Sequence, residues 1–181
     1  MREVVLQMQV SIDGFVGARD GGLDWIFPNF DDEYAAWGVE KLWEAGVHIM
    51  GAGAGRDMAA HWPHSIEPYA APMNAIPKVI FSRTLAAVEW DGASINRGEL
   101  ATEVERLKRQ PGKAVLAHGG ASFAQALTRL GLVDEYRLIV HPVALGEGLP
   151  LFPALPRPMT LQLREQKTFD TGVTVNVYRR N

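Results

Sequence analysis

The sequence predicts an α/β domain whose sheet is mostly parallel and ends in an antiparallel hairpin. Short runs rich in Val, Ile and Leu alternate along the chain with amphipathic helical patterns, which is typical of βα units. Near the end, two strand-like segments flank the turn Asp170-Thr171-Gly172, and Val173, Val175 and Val177 alternate with polar residues. This alternation indicates an antiparallel pair with one solvated face, so we expect a mixed sheet.

The individual elements follow from local patterns. Strands are expected at 4–10, 47–50, 78–81, from 115, in the second half of 133–143, at about 160–169 and 173–179, with short ones at 88–90 and 93–95. Helices are expected from the acidic segment 29–33 to about 45, at 98–110, and from Ser122 to about 130. The stretch 63–77 contains four of the eleven prolines and is expected to be an irregular surface segment.

Composition limits the function classes. The 181 residues suit a single domain over 1–181, and the net charge of −3 comes without any Lys/Arg block, so nucleic acid is an unexpected partner. No run approaches the roughly 20 apolar residues of a membrane helix, and residues 1–10 are too short and polar for a signal peptide. With no cysteine, disulfides, thiolate metal sites and thiol nucleophiles are excluded. We expect a soluble cytoplasmic protein without membrane association.

A glycine pair between a strand and a helix is the first candidate site. The apolar run from Val115 ends at His118, and Gly119-Gly120 leads into a helix in which Ser122 is the expected N-cap. Free N–H groups and the positive end of the helix dipole would bind an anion, typically phosphate. The alternative is a tight turn in which the glycines only make room.

A second glycine turn follows the second strand. The segment Gly51-Ala52-Gly53-Ala54-Gly55-Arg56 imitates a dinucleotide-binding fingerprint, but Arg56 stands where G-x-G-x-x-G requires its last glycine. It is therefore not a Rossmann signature, although it predicts another strand-to-helix turn with exposed backbone.

Polar residues after the third strand and a histidine pair are the remaining candidates. Ser82, Arg83 and Thr84 offer two hydroxyls and a fork-shaped cation, a compact set of phosphate donors. His61 and His64 flank a proline with no third ligand in view, so we expect loop residues and no metal site.

Four blocks, in this order, resemble the dihydrofolate-reductase-like proteins, and among them the reductase domain of bacterial bifunctional riboflavin-biosynthesis enzymes. The similarity spans nearly the whole chain, and the third and fourth blocks are the most specific. The blocks are residues 9–17 (Gln-Val-Ser-Ile-Asp-Gly-Phe-Val-Gly), 78–85 (Lys-Val-Ile-Phe-Ser-Arg-Thr-Leu), 118–122 with 131–135 (His-Gly-Gly-Ala-Ser and Gly-Leu-Val-Asp-Glu), and 142–152 (Pro-Val-Ala-Leu-Gly-Glu-Gly-Leu-Pro-Leu-Phe).

The resemblance implies a three-layer fold with about eight strands, flanking helices and NADPH bound in an extended conformation. Its motifs place the implied cofactor contacts at three points. At the pyrophosphate the resemblance implies Gly119, Gly120, Ala121 and Ser122, and at the ribose 2′-phosphate it implies Ser82, Arg83 and Thr84. Beside the nicotinamide it implies Val16 and Gly17, and Gly51 is a further implied cofactor contact. The family usually carries Gly-Arg-x-Thr after the second strand, whereas this chain has Gly51-Ala52-Gly53-Ala54 and lacks both the cation and the hydroxyl.

The same resemblance suggests the activity. We expect an NADPH-dependent reductase acting on a pterin-like or aminopyrimidine (riboflavin-precursor-like) small molecule. The implied acid lies at the start of the first helix, where Asp32 is the nearest match and Asp31 and Glu33 flank it; Asp13 and Asp24 are alternatives. The alternative function is a diverged, non-catalytic nucleotide-binding or self-associating module, and the C-terminal strands could pair in a homodimer. Zinc-dependent deamination is excluded because that chemistry uses cysteine ligands.

Overall fold

The computed structural model describes residues 1–180, in which eight strands form one mixed sheet with the spatial order β4-β3-β2-β5-β1-β6-β8-β7. The first six strands of this order are mutually parallel, and β8 runs antiparallel to both β6 and β7. The strands are β1 Val4–Ser11, β2 Ala45–Gly51, β3 Lys78–Phe81, β4 Ala93–Asn96, β5 Ala114–Ala117, β6 Glu135–His141, β7 Leu161–Thr168 and β8 Thr174–Arg180. The predicted mixed sheet with its C-terminal antiparallel pair is confirmed.

Five helices cover the two faces of the sheet. They are α1 Asp32–Trp43, α2 Ala52–His61, α3 Ala70–Ala75, α4 Leu100–Arg109 and α5 Ala121–Arg129. On β1, Leu6 and Met8 pack into the core beneath α4 and α5, whereas Val5 belongs to the core on the α1, α2 and α3 side. Because consecutive side chains of a strand point to opposite faces, β1 contributes to both cores and lies at the centre of the three layers.

The proline-rich stretch 63–77 is not the irregular surface segment that the sequence predicts. After a 3₁₀ turn at Trp62–His64, the chain forms α3, and Pro72 and Met73 are buried. Pro72 is the third residue of this helix, where its missing N–H would have had no partner within the helix. A proline in a first turn therefore permits the helix that the composition seemed to exclude.

One further strand prediction is corrected, and one helix start is confirmed. Residues 88–90 form no strand; instead Trp90 is buried and its indole N–H donates to Asn74 Oδ1 at 2.8 Å. The first helix begins at Asp32, within the acidic segment that predicts its start. Asp31 caps it by accepting the Tyr34 N–H at 2.7 Å, and Asp32 and Glu33 lie in its first turn. Within residues 1–180 no helix is long and apolar enough to cross a membrane.

Candidate active site at the carboxyl edge of the sheet

The carboxyl ends of β3, β2, β5 and β1 lie side by side at one edge of the sheet. Their order brings together the ends that carry Ser82, Gly51, Gly119 and Val16. Four neighbouring strands span about 14 Å at this edge, given a spacing of about 4.8 Å. A cleft of about 470 Å³ lies at the opposite edge, but most of its charged side chains pair with one another, as Lys108 does with Asp134. We therefore place the candidate site at the carboxyl edge.

The glycine pair forms the N-terminus of α5. Gly120 is the N-cap, with extended backbone at φ −74° and ψ −176°, and its carbonyl accepts the N–H groups of Phe123 and Ala124 at 3.1 Å. The prediction that Ser122 is the cap is wrong, because Ser122 already lies in the first helical turn. Open space adjoins Gly120, whereas a Cβ at Gly119 would lie 3.2 Å from Met8 Cε. The first turn of α5 thus presents backbone N–H groups beside an open surface.

The second glycine turn forms the N-terminus of α2. Gly51 is its N-cap without a side-chain hydrogen bond, and a Cβ at Gly51 would lie 3.1 Å from Phe123 Cβ in α5. The starts of α2 and α5 are therefore close neighbours. Nothing lies within 4 Å of a Cβ built at Gly53. Because Ala52 and Ala54 carry neither charge nor hydroxyl, this turn offers an anion only its backbone and dipole.

Ser82, Arg83 and Thr84 form a tight turn after β3, one strand beyond β2. The Ser82 hydroxyl accepts the N–H groups of Leu85 at 2.9 Å and Thr84 at 3.2 Å, which fixes the turn. Arg83 and Thr84 are exposed at the edge. The exposed Arg83 guanidinium can therefore reach a ligand at this edge.

On the other side of the glycine pair, the loop after β1 is joined to the loop after β6. Val16 N–H donates to the Leu149 carbonyl at 2.8 Å, and Leu149 N–H donates to the Gly17 carbonyl at 2.9 Å. A Cβ at Gly148 would lie only 2.4 Å from the Gly17 oxygen, so this approach requires glycine. Val16 and Gly17 are buried parts of this double loop.

Asp13 joins the same two loops. Its carboxylate accepts the Ser11 hydroxyl at 2.6 Å and the backbone N–H groups of Leu145 at 3.1 Å and Gly146 at 2.7 Å. The hydrogen bond from Ser11 lowers the pKa of Asp13, and the backbone N–H donors act in the same direction. Asp13 therefore serves as an ionised clamp between loops.

The acids at the start of α1 have separate surroundings. Asp31 is occupied as the N-cap, and Glu33 forms an ion pair with Lys167 at 2.8 Å. Asp32 and Asp24 are exposed. The catalytic role of Asp32 stays a prediction.

A buried polar cluster that sequence reasoning missed lies between β1, α1 and β6. The Gln9 amide donates to the Tyr34 hydroxyl at 2.8 Å, and Gln9 Oε1 lies 2.6 Å from His141 Nε2. The ring of Trp25 meets His141 edge-on at 5.5 Å between ring centroids. Burial raises the pKa of Tyr34 to about 12 and lowers the pKa of His141 to about 4, so both are uncharged near neutral pH. The signal that could have revealed it is Gln9, a polar residue at an inward-facing position of β1.

A second polar pair lies beside the glycine turn. His118 Nε2 is 2.9 Å from His48 Nδ1, and both rings are buried. Burial lowers the pKa of His118 to about 4 and the pKa of His48 to about 2. Elsewhere, His61 contacts Glu67 at 3.2 Å, and residues 1–180 contain no group of three His, Asp or Glu side chains that could hold a metal ion.

Comparisons with known proteins agree with this fold. Residues 2–175 match the family model of the RibD C-terminal domain. YyaP of Bacillus subtilis (strain 168), described as uncharacterized, is 31% identical over 185 residues, which cover 99% of this chain and 96% of that protein.

Two solved structures illustrate the likeness. The Thermotoga maritima diaminohydroxyphosphoribosylaminopyrimidine deaminase/5-amino-6-(5-phosphoribosylamino)uracil reductase superposes with a TM-score of 0.70 and 14% identity, over 99% of this chain and 57% of that chain. Dihydrofolate reductase from Enterococcus faecalis, complexed with NADP(H), superposes with a TM-score of 0.66 and 13% identity, over 99% of this chain and 96% of that chain. At these identities the likeness shows a dihydrofolate-reductase-like fold, which confirms the predicted architecture.

Proposed function

The chain belongs to the RibD C-terminal domain family, and from this membership we propose that it is an NADPH-dependent reductase acting on a pterin-like or aminopyrimidine small molecule. The family supports a reductase of the pyrimidine type. A relative of the same fold is complexed with NADP(H), which supports the same cofactor here.

One observation carries the cofactor proposal: the adjacent N-termini of α2 and α5. Both helices begin at glycines, and the Gly51 and Phe123 backbones are close enough that a Cβ at Gly51 would lie 3.1 Å from Phe123 Cβ. Two helix dipoles and two sets of N–H groups at these neighbouring helix starts would favour one shared anion position, which suits a pyrophosphate. We propose that Gly51, Gly119, Gly120, Ala121 and Ser122 line it.

The other proposed contacts flank this position. Ser82, Arg83 and Thr84 follow the strand on one side, and exposed Arg83 would pair with the ribose 2′-phosphate. Val16 and Gly17 follow the strand on the other side and would border the nicotinamide. This order along the edge matches an extended dinucleotide.

NADPH, when bound, supplies a hydride, and the protein supplies position and a proton. The joined loops that carry Val16 and Gly17 would hold the nicotinamide side of the site in a fixed place. Asp32 is our proposed proton donor to the substrate. Its exposed carboxylate would act from the first turn of α1.

Thermal unfolding with nicotinamide nucleotides tests the cofactor proposal. At 100 times its Kd, NADPH should stabilise the fold by about 2.7 kcal/mol, which raises the melting temperature by about 5–10 °C for a chain of this size. Replacing Arg83→Gln should weaken NADPH binding about tenfold and leave NADH binding unchanged, because only NADPH carries the 2′-phosphate. The control is Arg109→Gln, at the exposed end of α4. No shift with millimolar NADPH would contradict the proposal.

One observation favours a second candidate, a non-catalytic nucleotide-binding or self-associating module. Ala52 and Ala54 leave the start of α2 without the side chains that would hold a phosphate there. Turnover discriminates the two functions: NADPH binding without oxidation across a panel of pterins and aminopyrimidines would support the module. For self-association, a homodimer formed through β7, the edge strand, would appear in sedimentation as twice the monomer mass.

A further inference from the structure

We propose that Gln125 in α5 is a positioning residue for the cofactor. It ties the helix whose start would hold the pyrophosphate to the double loop that would border the nicotinamide. The proposal rests on the proposed reductase function and adds to it what keeps the two halves of the cofactor site at a fixed separation. It is carried by the hydrogen bond from Gln125 to Pro150, by the backbone pairing around Pro150, and by the place of Gln125 on α5.

The side chain of Gln125 reaches the loop after β6. Its amide Nε2–H donates to the Pro150 carbonyl at 2.7 Å, across 25 positions of the sequence. Both residues are half-buried, so the hydrogen bond is partly shielded from water. A shielded carbonyl that loses its donor destabilises the arrangement around it. The bond therefore holds this loop against α5.

The backbone geometry at Pro150 leaves its carbonyl to α5. Pro150 lies opposite Phe15 in an isolated antiparallel bridge between the loops after β6 and β1. The hydrogen bonds of this bridge come from the flanking residues: the Leu149 carbonyl accepts one at 2.8 Å, and the Leu151 N–H donates one at 3.0 Å. In such a pair the carbonyl of the central residue points away from the opposite strand. Gln125 supplies the donor that the bridge cannot.

The position of Gln125 along α5 connects it to the proposed pyrophosphate contacts. Gln125 follows Ala121, the first residue of the helix, by four positions, so the two lie on the same helical face. A rise of about 1.5 Å per residue separates them by about 6 Å along the axis. The double loop is thus fastened one turn below the helix start at which we propose a pyrophosphate.

The same helix also contacts the segment on its other side. Phe123 is buried, and its Cβ would lie 3.1 Å from a Cβ at Gly51, the N-cap of α2. Because β5 lies between β2 and β1 in the sheet, α5 stands between the turn after β2 and the loop after β1. It contacts the first through this apolar approach and the second, through its partner loop, by the amide of Gln125.

This arrangement has a consequence for an extended dinucleotide. Such a ligand gains affinity from both of its ends only when the two subsites are already at the correct separation. Without the bond from Gln125, the double loop is held less firmly against α5, and binding must order it. The loss should fall on the nicotinamide end, because the pyrophosphate contacts are backbone groups of the helix starts.

Two ligands that differ at one end test the proposal. They are NADPH and 2′-phospho-ADP-ribose, which has the same phosphates and adenine but no nicotinamide. Gln125→Met keeps the length of the side chain and removes the donor. By calorimetric titration, this variant should bind NADPH about fivefold more weakly and 2′-phospho-ADP-ribose less than twofold more weakly. The matched control, Gln162→Met on exposed β7, should bind both ligands as the parent chain does.

Hydrogen exchange tests the tether without any ligand. The Leu151 N–H donates to the Gly14 carbonyl across the double loop. In Gln125→Met its exchange should become at least fivefold faster, because exchange reports local opening. The amides of Phe123 and Ala124, which donate to the Gly120 carbonyl, should exchange as in the parent chain. That pattern would show that the start of α5 is intact in the variant.

The outcomes separate this proposal from the proposed function. An equal loss of affinity for both ligands in Gln125→Met would overturn it, since Gln125 would then support α5 as a whole. Unchanged NADPH binding by the variant would also overturn it, as would a parent chain that binds 2′-phospho-ADP-ribose as tightly as NADPH. A parent chain that binds neither ligand would instead refute the proposed function.

Discussion

His48 Nδ1 lies 2.9 Å from His118 Nε2, and this contact joins β2 to the residue that follows β5, close to both glycine turns. His48 is three residues before the N-cap of α2, and His118 is two residues before the N-cap of α5. Because each ring lacks charge, one nitrogen donates and the other accepts. The pair therefore sets the spacing between the two helix starts that would hold a pyrophosphate.

Acidification should destabilise the fold through its buried histidines. The folded-state pKa is about 2 for His48 and about 4 for His118 and His141, below the unfolded value of about 6.5. The unfolded chain therefore binds protons that the folded chain does not bind. The free energy of unfolding falls as pH drops from about 6.5 towards 4. Urea unfolding at pH 7 and pH 5 should show a loss of about 1–2 kcal/mol per buried histidine.

Two histidine variants separate the effect of buried histidines on the pH dependence from the titration of carboxylates. His118→Asn should flatten the dependence of the unfolding free energy on pH, because one buried ring no longer resists protonation. His64→Asn, in an exposed turn, should retain the slope of the parent chain. Equal slopes for His118→Asn and the parent would contradict the prediction.

Buried Lys78 should contribute more to the free energy of unfolding than an exposed lysine does. Its ammonium donates to the carbonyls of Asn74 and Asp91, both at 2.7 Å, and lies 4.7 Å from the centroid of the Trp90 ring. Lys78→Met would leave two carbonyls without their donor, so we expect a loss of about 2–3 kcal/mol in urea unfolding. Lys113→Met, which removes an exposed ammonium from the Trp43 carbonyl, should cost less than about 1 kcal/mol. Similar losses for both variants would disprove the role of burial.

Most of the parallel strands were predictable because they are short runs rich in apolar residues, and the antiparallel pair because the valines of β8 alternate with polar residues. Local patterns, however, do not report which residues meet across the sheet. Gln9, Tyr34 and His141 come from β1, α1 and β6, separated by up to 132 positions. Their cluster depends on strand order, which only the folded chain reveals.

The glycine turns were predictable as strand-to-helix connections, but the exact start of a helix was not. Ser122 has the side chain of an N-cap, yet the chain closes its first helical hydrogen bonds on the Gly120 carbonyl. From the sequence alone, a serine in the first turn of a helix cannot be distinguished from a serine at its N-cap. The acids before α1 illustrate the same ambiguity, since Asp31 caps the helix and Asp32 does not.

Two glycines of α2 should respond oppositely to alanine. A Cβ at Gly53 meets nothing within 4 Å, so Gly53→Ala should stabilise the fold by about 0.5 kcal/mol through its greater helix propensity. A Cβ at Gly55 would lie 2.7–2.9 Å from three side-chain carbons of Ile80, so Gly55→Ala should destabilise it by about 1–3 kcal/mol. Each is measured by urea unfolding, and the two variants serve as mutual controls on one helix. A gain in stability for Gly55→Ala would show that α2 is not packed against β3 as described.

Asp13 should position the loops after β1 and β6, beside the proposed nicotinamide site. Its carboxylate accepts the N–H groups of Leu145 and Gly146 from the opposite loop, so Asp13→Ala removes the acceptor for both. Hydrogen exchange at these two amides, followed by mass spectrometry or NMR, should become at least tenfold faster, because exchange reports local opening. The amides of β1 should remain protected, since the sheet does not depend on this contact.

The matched control is Asp20→Ala, which removes a carboxylate that accepts the Gly22 N–H within its own loop at 2.8 Å. It should leave exchange at Leu145 and Gly146 unchanged, because Asp20 does not bridge the two loops. If Asp13 is the clamp, Asp13→Asn should restore part of the protection, as an amide oxygen still accepts one N–H. Unchanged exchange in Asp13→Ala would show that the backbone pairs between Val16, Gly17 and Leu149 hold the double loop without it.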